Sequence, residues 1–239
     1  MLIDIHTHHL RAFDKNTIVV LNQTQRDNFF ETVSSDEKYF SFKTFGLHPW
    51  YLDRNKYALG LEKLETLLRD NKIIAIGECG LDKLRGTSLD VQIKIFEAQL
   101  QLAMQYQKPV IIHCVRAFNE LIAIVKKKSL TPTFKLEKTS VPSIIHGFNN
   151  NGNVLQSLLD AGFYISLGAA ILNVQNEKPW REKINKIPID KLFFETDDSD
   201  ESIERIYNRA AQLLKMPVQV LEKQIENNFN RLLPIKSRS

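Results

Sequence analysis

Ile73-Ile74-Ala75-Ile76-Gly77-Glu78-Cys79-Gly80, then Ile95-Phe96-x-x-x-Leu100-x-Leu102-Ala103, then Pro109-Val110-Ile111-Ile112-His113: this succession decides the fold of the chain. The outer two segments carry near-continuous apolar runs, as parallel strands do when both faces are covered. The middle segment repeats its apolar residues at helical spacing. Strand, helix, strand is the unit of an α/β protein. Working outward, further apolar runs at Leu2–His6, Thr17–Leu21, Phe42–Leu47, Ser143–His146, Phe163–Leu167 and Leu192–Glu195 predict six more strands beside Ile73–Gly77 and Val110–His113. Helical spacing recurs in Leu61-x-x-Leu64-x-x-Leu67-Leu68, and helices also fit Phe118–Lys127, Val154–Ala161, Ser202–Lys215 and Val218–Leu233. Eight strands alternating with helices predict a TIM-type (β/α)8 barrel. Its first βα unit is shortened, since Leu10 to Thr17 leaves little room for a helix, and Asn28–Tyr39 holds one short helix at best.

The bulk numbers agree with a single domain over residues 1–239, a usual length for such barrels. Hydrophobic residues make up 43% and charged residues 25%, and only 9 Gly and 8 Pro are present, which excludes a long disordered linker. The formal net charge of +4 suits a polyanionic ligand without requiring one. Two cysteines, Cys79 and Cys114, form no C-x-x-C pair, and Met1–His6 has no export-signal pattern, so a reducing cytoplasm is expected. No apolar run reaches the roughly 20 residues of a membrane span. The run Lys126-Lys127-Lys128 reads as a solvated helix end.

The ionisable residues fall in a pattern. His6, His8, His48, His113 and His146 stand at or just past predicted strand ends, Glu78 follows Ile73–Gly77, and Asp197 follows Leu192–Thr196. In a parallel barrel such ends gather on one rim. Alternate residues of a strand face one side, so His6 and His8 can address one ion. Imidazoles and carboxylates together suit borderline divalent metals, and a carboxylate such as Glu78 can bridge two cations. Asp197 can serve as ligand and as general base. This donor set supports metal-assisted hydrolysis, while no P-loop or G-x-G-x-x-G competes.

Eight segments carry a resemblance, among them Pro109-Val110-Ile111-Ile112-His113 and Gly162-Phe163-Tyr164-Ile165-Ser166. Asp4-Ile5-His6-Thr7-His8, Gly46-Leu47-His48-Pro49, Gly77-Glu78-Cys79-Gly80-Leu81-Asp82, Ile145-His146-Gly147-Phe148, Glu195-Thr196-Asp197 and Asn228-Phe229-x-Arg231-Leu232 resemble, in order, the motifs of the TatD family of metal-dependent deoxyribonucleases. The resemblance implies His6, His8, Glu78, His113, His146 and Asp197 as ligands of one or two divalent cations (Mg2+, Mn2+ or Zn2+), with Glu78 bridging. It implies 3′-to-5′ trimming of DNA, or hydrolysis of a small phosphoester, by water that the metal activates. No membrane and no obligate protein partner enter that reading.

Departures from the family pattern bear on substrate grip. The family's Arg two residues past the His113 position is Val115 here, which leaves Arg116 as the candidate phosphate contact. His48 is a candidate for substrate contact or for capping the turn before Pro49. Asp82 is a candidate partner fixing a histidine tautomer or the turn at Gly80. Trp50 and Trp180 can stack on a base, but packing accounts for them more simply. The acidic run Asp197–Glu201, without its Ser199, repels a polyanion at close range. Two rivals stand beside the nuclease. An amidohydrolase acting on a small molecule would bridge its metals with a carboxylated Lys, and no Lys lies between Ile73 and Asp82. A non-catalytic nucleic-acid-binding relative would have no use for a full ligand set.

Overall fold

The computed structural model describes residues 1–9, 16–24, 40–129 and 141–233. Strand order in its eight-stranded sheet follows chain order, β1 to β8. The described strand pairs are parallel, with helices between successive later strands. The fold class is the TIM-type (β/α)8 α/β class predicted above. The expectations of a shortened first unit at residues 10–17 and a short helix at 28–39 fall largely outside the described residues. Among those residues, no helix is long and apolar enough to cross a membrane.

The chain divides into two compact units, each discontinuous in sequence. One is formed by residues 1–21, 33–42 and 146–239. It contains β1 (Leu2–Thr7), β7 (Tyr164–Leu167), β8 (Leu192–Phe194) and the start of β2 (Thr17–Thr24). Its helices are α4 (Gly152–Asp160), α5 (Glu177–Ile184), α6 (Ile203–Leu214) and α7 (Val218–Leu232). Ile3, Ile5, Phe193, Phe194, Ile206, Ile225 and Phe229 are fully buried there. The amphipathic face of α6 places Tyr207 against β1, where its hydroxyl lies 3.1 Å from both the N–H and the carbonyl of Ile3. Ser202 caps α6 by accepting from the Arg205 N–H.

The other unit, residues 22–32 and 43–145, holds most of β3 (Phe40–Gly46), β4 (Ala75–Asp82), β5 (Val110–Val115) and β6 (Ser143–Ile145). Its helices are α1 (Tyr57–Arg69), α2 (Leu89–Tyr106) and α3 (Phe118–Ser129). β4 and β5 approach closely because glycine leaves room. A Cβ on Gly80 would stand 2.0 Å from the carbonyl oxygen of His113, and Gly80 has φ +144°, a conformation that side chains disfavour. Gly80 thus lies inside a strand and not in a turn, contrary to one reading of Asp82.

The strand bounds differ from the sequence prediction by a few residues, and three of the differences bear on the site. The strand predicted at Ile73–Gly77 starts at Ala75 and continues to Asp82, so Glu78 is inside it and not past its end. The two glycines break the apolar pattern, and the ladder to β5 shifts register between Ile76 and Cys79 and then continues to Asp82. β6 and β8 stop one residue short of His146 and Glu195, which leaves these side chains in the loops that follow. Helix α5 is new: Glu177-Lys178-Pro179-Trp180-Arg181-Glu182-Lys183-Ile184 has only Trp180 and Ile184 buried, too few for a periodic signal.

Candidate functional site

Within the first unit, four predicted residues come together. His6 and His8 both approach one oxygen of Asp197, each with Nε2 3.5 Å from Oδ1. The alternation argument for His-x-His is therefore realised. The ring centroids of His6 and His146 lie 4.5 Å apart, and the donor atoms of His6, His146 and Asp197 all fall within 4.8 Å of one another.

Backbone hydrogen bonds hold Asp197 against β1. Its N–H donates to the carbonyl of His6 at 3.0 Å, and its own carbonyl accepts from the His8 N–H at 3.3 Å. It has φ +53°, a left-handed conformation that Asp tolerates better than most residues. One link below, Asp4 accepts from the Thr196 N–H at 3.0 Å and from its hydroxyl at 2.6 Å. Burial pushes the Asp4 carboxyl up to about 7 against the pull of those two bonds. Asp4 is a tie between β1 and the β8 end. Glu195 is fully buried, accepts from the Gly147 N–H, and stands 3.4 Å from His146 Nδ1. It restrains the loop that carries His146.

The second unit builds a tighter cluster around Glu78, which is 2% exposed. One carboxylate oxygen lies 3.0 Å from His48 Nε2 and 2.8 Å from His113 Nδ1. The Glu78 N–H donates to Asn22 Oδ1 at 2.6 Å, and the Thr44 hydroxyl donates to the same oxygen. The other nitrogen of His113 meets Asp82 Oδ2 at 3.1 Å, and the Trp50 indole N–H donates to that oxygen at 2.6 Å. Burial raises the Asp82 carboxyl. The bonds from Trp50, His113 and the Leu84 N–H outweigh that effect and leave it below the usual carboxylate range. Asp82 is thus a partner of His113, the alternative raised from sequence. A charged partner on one imidazole nitrogen fixes ring orientation and tautomer.

His48 takes the capping role weighed for it and adds a contact with Glu78. Its Nδ1 accepts from the Trp50 N–H and caps the short turn Pro49–Tyr51, while its Nε2 faces Glu78. Arg116 is exposed, with φ +53°, just past β5. Trp180 is 3% exposed and packs, as expected, with the Lys183 ammonium over its ring. Cys79 is buried and its thiol is pushed far above the usual range, and burial pushes Cys114 up to about 12. Both thiols are inert at neutral pH.

Several supporting residues carried no signal in the sequence. Gln92 and Gln99 lie seven residues apart on the inner face of α2. The Gln99 side chain accepts from the Leu47 N–H at 2.8 Å and donates to its carbonyl at 3.2 Å, holding the residue before His48. Gln92 does the same for Asp82, at 2.7 and 2.9 Å. Asn22, at the end of β2, is the third. An apolar-run search passes over such residues, and only their burial on a site-facing surface exposes the role.

Imidazole nitrogens and carboxylate oxygens within ligand distance, buried and fixed by further hydrogen bonds, are a donor set fitted to a divalent cation. A family model described as TatD related DNase matches residues 3–234. The chain belongs to that family. A 3′-5′ ssDNA/RNA exonuclease TatD from Edwardsiella piscicida is 34% identical over 160 residues, covering 66% of this chain and 58% of the relative. The match thus spans little more than half the length of that exonuclease. The metal-dependent hydrolase YjjV of Escherichia coli K12 is 26% identical over 234 residues, covering 91% of this chain and 86% of the relative. The crystal structure of YjjV superposes with a TM-score of 0.75 over 91% of this chain and 86% of its own. A TatD-family hydrolase structure from Entamoeba histolytica, 16% identical, has a TM-score of 0.76 over 98% of both chains and supports the fold.

Proposed function

We propose that this chain is a divalent-metal-dependent phosphodiesterase that acts on nucleic acid, in the manner of a 3′-to-5′ exonuclease. The reading takes His6, His8, Glu78, His113, His146 and Asp197 as the ligands of one or two cations, with Glu78 bridging and residues 1–239 forming one catalytic domain. The observation that carries it is the Glu78 carboxylate, buried and set between two imidazoles whose own far sides are occupied. A carboxylate so fixed is preorganised for a cation. Family membership and the names of the two relatives point the same way.

A bound cation supplies Lewis-acid stabilisation of phosphoryl charge and lowers the pKa of water. The remaining work belongs to side chains. Asp197, its side chain 38% exposed and its backbone pinned to β1, accepts the proton of the attacking water. Asp82 and Glu195 restrain the imidazoles of His113 and His146. Arg116, exposed just past β5, and His48 are the proposed substrate contacts. Two unpaired thiols are in keeping with a reducing compartment, and we place the protein in the cytoplasm.

The test is degradation of end-labelled single-stranded DNA and RNA with Mn2+ or Mg2+, alongside bis-p-nitrophenyl phosphate. Stepwise loss from the 3′ end, absent in Glu78→Ala, supports the proposal. Hydrolysis of small phosphoesters alone would confine it to small molecules, and no hydrolysis of any phosphodiester would end it.

A further inference from the structure

We propose that Arg85, held over the Trp50 ring, is a phosphate-binding residue for a single-stranded nucleic acid, gripping a phosphate beyond the one cleaved. The inference rests on the phosphodiesterase reading above and names how its substrate is held. The Arg85 guanidinium carbon lies 4.0 Å from the Trp50 ring centroid. Among the described residues its side chain forms no ion pair and no hydrogen bond. A cation resting on an aromatic face keeps its N–H donors at its edge for a planar or tetrahedral anion.

Both members of the pair are braced. The Trp50 indole N–H is committed to Asp82, and the Arg85 N–H donates to the other Asp82 oxygen at 3.1 Å. Gln92 donates to the carbonyl of Arg85 at 3.2 Å. At Gly86, φ +94°, a Cβ would stand 2.3 Å from the Pro49 carbonyl oxygen, so this loop lies directly on the turn that carries Trp50. An arginine merely solvated would need none of this bracing, and the bracing lowers the entropy lost on binding.

Position selects the ligand. The Trp50 ring centroid is 5.4 Å from that of His113, and the Arg85 guanidinium carbon lies 4.0 Å from the same Trp50 centroid. A small phosphoester seated at the imidazoles would not need Arg85. A chain of phosphates would reach it with its next unit.

The experiment measures binding of fluorescein-labelled oligothymidylate and oligouridylate in EDTA, by anisotropy across a salt series, for wild type, Arg85→Ala and Arg69→Ala. Arg69, exposed at the end of α1, controls for loss of one positive charge. Arg85→Ala is expected to weaken binding about fivefold or more and to flatten the log–log salt slope by about 0.7, one phosphate contact on a single strand. Arg69→Ala should leave both within twofold. Trp50→Leu, checked for an unchanged melting profile, should weaken binding without adding to Arg85→Ala, because one residue acts through the other. Wild type that binds neither oligomer, or Arg85→Ala that binds like Arg69→Ala, overturns the proposal. Loss of EDTA-sensitive hydrolysis with binding intact would instead count against the catalytic reading alone.

Discussion

The Glu78 cluster and the Asp197 cluster are built from the same kinds of side chain and are held in opposite ways. Glu78 is almost wholly buried, with imidazole nitrogens at 2.8 and 3.0 Å and its backbone tied to Asn22. Asp197 is more than one-third exposed, with its imidazoles at 3.5 Å and its backbone hydrogen-bonded to His6 and His8. The first arrangement fixes a charge before any ligand arrives. The second sets a carboxylate beside two imidazoles with solvent at hand. A ligand needs rigidity, and a general base needs access to the proton it takes.

That contrast is open to breakage by mutation. The largest effect is expected for Glu78→Ala, which should lower hydrolysis of bis-p-nitrophenyl phosphate at least about 10^3-fold, several kcal/mol of transition-state stabilisation. It should also lower folding stability by about 1–3 kcal/mol, since two buried imidazole nitrogens lose their partner; chemical denaturation measures this. Asp197→Asn should reduce kcat about 10^2- to 10^4-fold while leaving the denaturation midpoint within error, because Asn keeps the shape of a side chain that is 38% exposed. A large stability loss in Asp197→Asn would erase the distinction between the clusters.

Two smaller effects sharpen it. Glu195→Gln, through His146, should weaken Mn2+ affinity about 10- to 100-fold in calorimetric titration. Tyr207→Phe should cost about 1–3 kcal/mol of stability by leaving the Ile3 N–H without its buried partner, with metal affinity unchanged. A loss of Mn2+ affinity in Tyr207→Phe would mean that the β1 anchor and the His6–His8 pair cannot be separated.

Much of this was legible in the residues. The apolar runs placed all eight strands, and His6-Thr7-His8 announced two imidazoles on one side because side chains alternate along an extended backbone. The extent of β4 was not legible. Gly77 and Gly80 look like punctuation in a sequence, yet they serve close approach to β5. The second role of His48 escaped for a related reason: a ring with two nitrogens can cap a turn and face a carboxylate, and sequence gives only its position. Gln92, Gln99, Asn22 and the Trp50–Asp82–His113 chain depend on side chains meeting across different elements. No local pattern encodes that meeting.

In the proposed function both clusters hold divalent cations that drive hydrolysis. The most direct test is bis-p-nitrophenyl phosphate hydrolysis by EDTA-stripped protein before and after addition of Mn2+. Activity lost on stripping and recovered with the metal in wild type, but not in Glu78→Ala, is the predicted result. Equal activity with and without EDTA would contradict it.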